Sequence, residues 1–104
     1  MMNSTLPAVT KRKNEKGETE YHVGAVSDWE GFESLVKYLE KYWQAVPVQM
    51  GDNIYSRRWV LRSGEVLITI YHDSQVGNYF VREDGIEEQG LLEQIEGDLI
   101  ERFR

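Results

Sequence analysis

Alternating apolar and polar residues predict three consecutive β-strands between Arg57 and Val81. A two-residue loop at Ser63-Gly64 would join the first two strands, and a turn at residues 73–75 would lead into the third, Gly77–Arg82. In that register five apolar side chains share the face that we expect helices to cover: Trp59, Leu61, Val66, Ile68 and Ile70. The opposite face would carry a mixed set: Arg58, Val60, Arg62, Glu65, Leu67, Thr69 and Tyr71.

Shorter patterns before this meander predict additional strands. Alternation from Thr19 to Ala25 predicts the second arm of an N-terminal β-hairpin, and Gly17 can supply the positive φ that its turn needs. The basic run at residues 11–13 is typical of a charged strand that resists edge pairing. A short edge strand around Val48–Met50 is compatible with Pro47, because proline is tolerated at sheet edges. Residues 1–6 carry no periodic signal and are expected to be frayed.

Two amphipathic patterns predict helices on either side of the meander. A capping box at Ser27-Asp28-Trp29-Glu30 would start the first, over residues 28–45. Its apolar stripe contains Trp29, Phe32, Leu35, Val36, Leu39, Tyr42 and Trp43. The second helix, Ile86–Phe103, has an apolar arc of Leu91, Leu92, Ile95, Leu99 and Phe103. Together these elements predict an α+β fold in the order ββα(β)βββα, with a mainly antiparallel sheet.

Length and composition limit the class of protein. With 104 residues the chain fits a single domain, residues 1–104. It has no cysteine, so disulfide bonds and thiolate ligands are not available. No apolar run approaches the roughly 18–20 residues that span a bilayer, and the N-terminus lacks the apolar core of a signal peptide. We therefore expect a cytoplasmic protein that does not enter a membrane.

The acidic charge is concentrated at the C-terminal end. Residues 83–104 hold eight of the 18 acidic residues and two of the 12 lysines and arginines. The ten acidic and ten basic residues before them balance, so the net charge of −6 belongs to this last segment. Nucleic acid is not expected as a ligand, because phosphate neutralisation needs clustered basic residues. A basic protein partner suits this distribution better.

The residues that could support catalysis do not form a recognisable set. His22 and His72 have no partner at metal-ligand spacing. His72 and Asp73 are adjacent, so on a strand their side chains point to opposite faces and cannot form a dyad. Ser74 lies near His72 without any sign of an oxyanion hole. Acidic residues are abundant, yet their neighbours place no pair in an apolar pocket. We expect no enzymatic activity, no cofactor and no metal ion.

The expected function is therefore binding to a protein partner through the surface. The leading contact residues are acidic side chains of the last helix: Glu87, Glu93, Asp98 and Glu101. Gly90 and Gly97 lie seven residues apart on the same helix, where they would either let another backbone approach or simply be tolerated because the buried face holds the helix. Each would cost the helix about 1 kcal/mol relative to alanine. Asp73 and Tyr71, at the end of a meander strand, are further candidates, since tyrosine is enriched at binding hot spots.

The layout resembles that of a family. The meander RRWVLRSGEVLITIYHDSQVGNYF followed by an acidic helix, in a small acidic chain without a catalytic set, resembles bacterial toxin-immunity proteins of contact-dependent growth inhibition systems. The resemblance implies a cytoplasmic protein that binds a cognate toxin domain, often a basic nuclease, and blocks its active site or its access to substrate. No functional residue is carried over from the family, because the resemblance rests on layout and acidity rather than on a motif.

A second function class is compatible with the same patterns. The chain could be a small cytosolic regulatory or structural interaction domain, homodimeric through a sheet edge or through the face of Val60, Leu67 and Tyr71. The sequence leaves open whether the N-terminal hairpin belongs to the main sheet.

Overall fold

A computed structural model of the chain describes residues 8–82 and 90–104. Within these residues the predicted α+β class and element order are confirmed. The elements are β1 (Val9–Lys13), β2 (Thr19–Val23), α1 (Trp29–Tyr42), β3 (Val46–Asp52), β4 (Ser56–Ser63), β5 (Val66–Asp73), β6 (Gly77–Arg82) and α2 (Leu91–Arg102). The predicted frayed residues 1–6 and the predicted helix start at residue 86 lie outside the described residues.

The six strands form one antiparallel sheet in the order β1-β2-β6-β5-β4-β3. The N-terminal hairpin joins the main sheet through β2, which pairs with β6 at Tyr21↔Phe80 and His22↔Tyr79. Strand β3 is longer than the predicted Val48–Met50. In the sheet that the described residues form, it pairs with β4 alone and is one edge. Strand β1 forms the other edge.

The register of the central hairpin differs by two residues from the prediction. Ser63 pairs with Val66 and Leu61 with Ile68, so the loop residues are Gly64 and Glu65 rather than Ser63 and Gly64. The physical reason is the turn geometry: Gly64 has φ +61°, and a loop of this kind needs glycine at its first central position. A slip of two residues keeps every side chain on its expected face.

The hydrophobic core lies between the sheet and the two helices. Its sheet side includes Leu61, Ile68, Ile70 and Phe80, all fully buried. Its helix side includes Phe32, Leu35, Val36 and Leu39 from α1, and Leu92, Ile95 and Leu99 from α2. The expected apolar face is thus the covered one. The face turned away from both helices, called the outer face below, carries Arg58, Val60, Leu67, Thr69, Tyr71, Tyr79 and Val81.

The ends of α1 differ from the prediction in detail. Asp28, rather than Ser27, caps the helix: its carboxylate accepts from the Gly31 amide at 2.6 Å. The helix ends at Tyr42, before the predicted Ala45. Gln44 has a left-handed φ of +51°, which turns the chain so that the Ala45 amide donates to the Leu39 carbonyl.

Helix α2 begins at Leu91, and Gly90 is its N-cap residue. The prediction that Gly90 lies inside the helix, on its outer surface, is therefore wrong. A glycine inside a helix costs about 1 kcal/mol relative to alanine. This cost is avoided when the helix begins after the glycine.

Candidate partner-binding surfaces

The outer side of α2 presents an acidic row with a gap in its middle. Glu93, Gly97 and Glu101 follow one another at four-residue spacing, which places them on one side of the helix. All three are exposed. A Cβ atom added to Gly97 would meet no atom within 4 Å, so the space between the two glutamates is open. Glu101 forms an exposed ion pair with Arg104 at 3.5 Å, which is worth little in water.

Asp98, a predicted contact residue, is engaged within the molecule. Its Oδ2 atom accepts from the Tyr38 hydroxyl at 2.6 Å and from Arg102 Nε at 2.7 Å. The Trp43 indole N–H donates to the same Tyr38 oxygen at 2.8 Å. These bonds connect α2 to the C-terminal half of α1 and fix the orientation of the acidic row.

The ionisation of this network follows from its hydrogen bonds. The Tyr38 hydroxyl, and after it Arg102, lowers the pKa of Asp98 below its usual value. Burial, followed by the hydrogen bond to Asp98, raises the pKa of Tyr38 to about 12. Tyr38 therefore remains a neutral donor, and Asp98 remains a charged acceptor, across the neutral pH range.

The outer face of the sheet contains a row of stacked rings that crosses three strands. His22 on β2 stacks on Tyr79 of β6 with centroids 4.6 Å apart, and Tyr79 stacks on Tyr71 of β5 at 5.0 Å. Arg58 of β4 extends the row, with its guanidinium carbon 5.9 Å from the Tyr71 ring centroid. Burial, then the charge of Glu20, raises the pKa of Tyr79.

Two shallow grooves flank the tyrosine pair of Tyr71 and Tyr79. One, of about 710 Å³, extends towards β3 and is lined by polar groups that include Gln49, Arg58 and Asp73. The other, of about 410 Å³, extends towards the first hairpin and includes Glu18 and Glu20. The outer face therefore offers both signs of charge to a ligand, unlike the acidic row on α2.

Asp73 shapes the turn between β5 and β6. Its Oδ1 atom accepts from the backbone amides of Gln75 at 2.8 Å and Val76 at 3.2 Å. This arrangement is an Asx turn, in which a short carboxylate takes the place of a backbone acceptor. The residue lies next to the larger groove.

A buried polar cluster under the start of α1 was not anticipated from the sequence. Arg57 is 4% exposed and lies among three rings, with its guanidinium carbon 4.4 Å from the Trp29 centroid, 4.6 Å from Phe32 and 5.3 Å from Trp59. It also pairs with Asp52 at 2.9 Å. One signal was present: Arg57 occupies the covered-face position in the alternation that continues through Trp59 and Leu61.

His72 belongs to the same layer and has a structural contact. Its Nδ1 atom lies 2.7 Å from Asn78 Oδ1. The Asn78 amide donates to the carbonyls of Val26 and Asp28, at 2.6 and 3.0 Å. This chain of bonds attaches the segment before α1 to the sheet. In residues 8–82 and 90–104, no group of three or more His, Asp or Glu side chains is arranged to hold a metal ion.

The sequence-predicted residues thus fall on two opposite surfaces. Glu93, Gly97 and Glu101 lie together on α2, with Asp98 beside them, whereas Tyr71 and Asp73 lie across the sheet on the outer face. Gly90 is partly buried at the helix start. Glu87 lies outside the described residues.

Comparison with known proteins does not identify a family: no protein-family model, no curated protein and no solved structure matches this chain. Neither described helix is long and apolar enough to cross a membrane.

Proposed function

We propose that this chain is a non-catalytic binding protein for a basic protein domain, and that it neutralises a toxin domain in the manner of the immunity proteins whose layout it resembles. The observation that carries the proposal is the exposed row of Glu93, Gly97 and Glu101 on α2, within the segment that holds the net charge of −6. A concentrated acidic surface attracts a basic partner over distances of about a Debye length and accelerates the encounter.

Because Gly97 has no side chain, the acidic row has a recess between Glu93 and Glu101. An arginine or lysine of the partner, or its backbone, can approach the helix between Glu93 and Glu101 without meeting a side chain. An arginine seated there would face a carboxylate on each side, and charge-assisted hydrogen bonds are stronger than neutral ones. Asp98 supports the row by holding α2 against α1.

Inhibition requires that the bound chain cover a functional part of the toxin. A basic nuclease binds its substrate through its own lysines and arginines. An acidic protein that occupies those residues competes with the nucleic acid for the same charges. The proposal therefore needs no catalytic group in this chain.

The proposal predicts that a neighbouring gene encodes a secreted protein with a toxic C-terminal domain, and that domain is the partner used in the test. Binding is measured by calorimetry with the unmodified chain and with Glu93→Lys and Glu101→Lys. Each reversal is expected to weaken binding about tenfold at low ionic strength, which corresponds to about 1.4 kcal/mol. Added salt should weaken the binding of the unmodified chain and reduce the difference between it and the variants.

Glu40→Lys is the matched control, because Glu40 is an exposed glutamate on α1 and the change in charge is the same. It should weaken binding much less than the two α2 variants. Binding that is independent of salt, or that all three variants weaken equally, would remove α2 as the interface. Co-expression with the toxin domain should restore growth for the unmodified chain, and less so for the double reversal.

A further inference from the structure

The two edge strands of the sheet, β1 and β3, differ in how well they could pair with a strand of another molecule. On β1, three consecutive basic residues, Lys11 to Lys13, place charge along the edge, which is a common device against edge-to-edge pairing. On β3, the six residues from Val46 to Gly51 carry no charge. Strand β3 is seven residues long, within the usual range for a sheet strand. Of the two edges, β3 is therefore the one better suited to pair with another strand.

Exposed apolar side chains are concentrated on this edge. Val46, Val48 and Met50 are 53%, 45% and 66% exposed. The loop that follows adds Ile54 at 82% and Tyr55 at 71%. An uncharged strand edge with apolar side chains is a recognised site of strand addition.

The loop after β3 is held in place despite its exposed side chains. Asp52 accepts from Arg57 Nε and from the Trp59 indole N–H, both at 2.9 Å. The Tyr55 carbonyl accepts from the Ser74 amide at 3.0 Å. Ile54 and Tyr55 are therefore presented in a fixed position, and binding would lose less conformational entropy than it would with a mobile loop.

The backbone direction shows which groups the edge offers. The Asn53 amide donates to the Ser56 carbonyl at 2.8 Å, which points towards β4. Because these groups alternate along an antiparallel strand, the amides and carbonyls of Asp52 and Met50 point away from β4. Pro47 and the register shift between Pro47 and Gln49 interrupt the first half of the strand. The part of the edge suited to pairing is thus centred on Met50.

We propose that β3 pairs antiparallel with β3 of a second copy of this chain, about a twofold axis at Met50, so that the two six-stranded sheets become continuous. Met50 then faces Met50 of the other copy. Asp52 and Val48 lie two residues after and before it, so Asp52 of each copy pairs with Val48 of the other. The exposed side chains of Val46 and Ile54 then lie beyond the two ends of the paired segment.

Charge explains why the contact falls on this edge. Two copies of a chain with net charge −6 repel each other, and the repulsion is smallest where the surface is neutral. The segment Val46–Gly51 is uncharged, and Asp52 beyond it is paired with Arg57. The acidic row of α2 is separate from β3, so pairing of two copies and binding of a basic partner are independent proposals.

Light scattering after size-exclusion chromatography should give twice the 12.2 kDa mass of one chain at high protein concentration. Met50→Lys places two positive charges at the axis and should raise the dissociation constant of the dimer at least about a hundredfold. Thr10→Lys, which adds the same charge to the exposed β1 edge, should leave the dimer intact. Circular dichroism checks that both variants are folded.

Cross-linking provides a test that does not depend on destabilising the edge. The chain has no cysteine, so Met50→Cys introduces a single thiol. Opposed hydrogen-bonded residues on antiparallel strands have Cα atoms about 5.5 Å apart, which a disulfide can span. Mild oxidation should link two Met50→Cys chains, whereas Thr10→Cys should remain unlinked. In the unmodified dimer, the amides of Met50 and Asp52 should be protected from hydrogen exchange.

Several results would overturn this proposal. One is a chain that is monomeric at every concentration. A second is a dimer that Met50→Lys leaves intact or that Thr10→Lys separates. A third is protection of the Met50 amide that arises only when a basic partner is added, which would assign the edge to a strand of that partner.

Discussion

At the scale of single residues, the charge of Asp98 suggested a contact with a partner, whereas the structure shows that Asp98 joins α2 to α1. Hydrogen bonds from Tyr38, and after it Arg102, favour its carboxylate and lower its pKa. Because the pKa is lower in the folded than in the unfolded chain, the stabilisation is present above the ordinary aspartate pKa of about 3.9. It is lost as the pH falls through the lowered folded value. Acidification should therefore loosen the contact between α1 and α2.

Tyr38→Phe is expected to lower the free energy of unfolding at pH 7 by about 1–2 kcal/mol, because it removes a hydrogen bond to a charged group. It should also raise the pKa of Asp98 towards the usual value. Urea denaturation gives the first quantity and a carboxyl NMR titration gives the second. Tyr55→Phe is the control, since Tyr55 is 71% exposed, and its stability should be unchanged. An unaltered Asp98 pKa in Tyr38→Phe would contradict the assigned role.

At the scale of elements, two glycines inside the described helices, Gly31 and Gly97, have opposite surroundings. A Cβ atom on Gly31, in the first turn of α1, would lie 2.8 Å from Asp28 Oδ1 and 2.9 Å from Val26 Cβ. A Cβ atom on Gly97, in α2, would meet open space. Gly31 is therefore required by the helix cap, whereas Gly97 is not required by the fold.

Gly31→Ala should lower the free energy of unfolding by about 1–3 kcal/mol, because the added methyl group forces the Asp28 cap and Val26 to move. Gly97→Ala should raise it by up to about 1 kcal/mol, the usual helix preference for alanine over glycine. Denaturant unfolding of both variants measures the difference. If both variants changed the free energy of unfolding in the same direction, the different roles assigned to Gly31 and Gly97 would be wrong. If the gap at Gly97 is used in binding, Gly97→Ala should also weaken it.

Sequence reasoning predicted those features of the elements that depend on periodicity. The bounds of β6 match the prediction, and the alternation assigned Leu61, Ile68 and Ile70 to the covered face. Details that depend on local backbone geometry were missed. The turn uses the positive φ of Gly64 at its first position, and Asp28 rather than Ser27 reaches the Gly31 amide. Two-residue slips in a hairpin are invisible to periodicity, because they preserve the faces.

The candidate surfaces were harder to predict, because they depend on which elements meet. The exposure of Glu93 and Glu101 follows from helical spacing alone. The engagement of Asp98 does not, since its partner Tyr38 lies 60 residues away in sequence. The exposed edge of β3 could be predicted only with knowledge of the strand order. In the described sheet β3 lies beyond β4, with no further strand beside it.

At the scale of the whole molecule, the N-terminal hairpin is attached to the sheet by a narrow seam. Among the described residues, β2 and β6 are in register at two pairs, Tyr21↔Phe80 and His22↔Tyr79, both reinforced by stacked rings. By contrast, β4 and β5 are paired along their entire lengths. The ion pair between Lys11 and Glu96, at 3.7 Å and partly exposed, adds little.

Native-state hydrogen exchange should therefore show that the hairpin opens before the centre of the sheet. The amides of β1 and β2 should have lower opening free energies than those of Thr69 and Ile70 in β5, because fewer ordered contacts must be broken. Mass spectrometry or NMR under native conditions measures both. Equal protection throughout would mean that the sheet opens as one cooperative unit, with the hairpin as an integral part.

The distribution of aromatic residues between the two sides of the sheet has an optical consequence. All three tryptophans are on the helical side: Trp29 begins α1, Trp43 follows it, and Trp59 lies on the covered face of β4. The outer face carries Tyr71 and Tyr79 instead. Trp43 is linked through Tyr38 to Asp98 on α2, and Trp59 is bonded to Asp52 at the end of β3. Variants that keep Trp43 or Trp59 as the single tryptophan would therefore report separately on α2 and on the β3 edge, whereas none of the three indoles reports on the outer face.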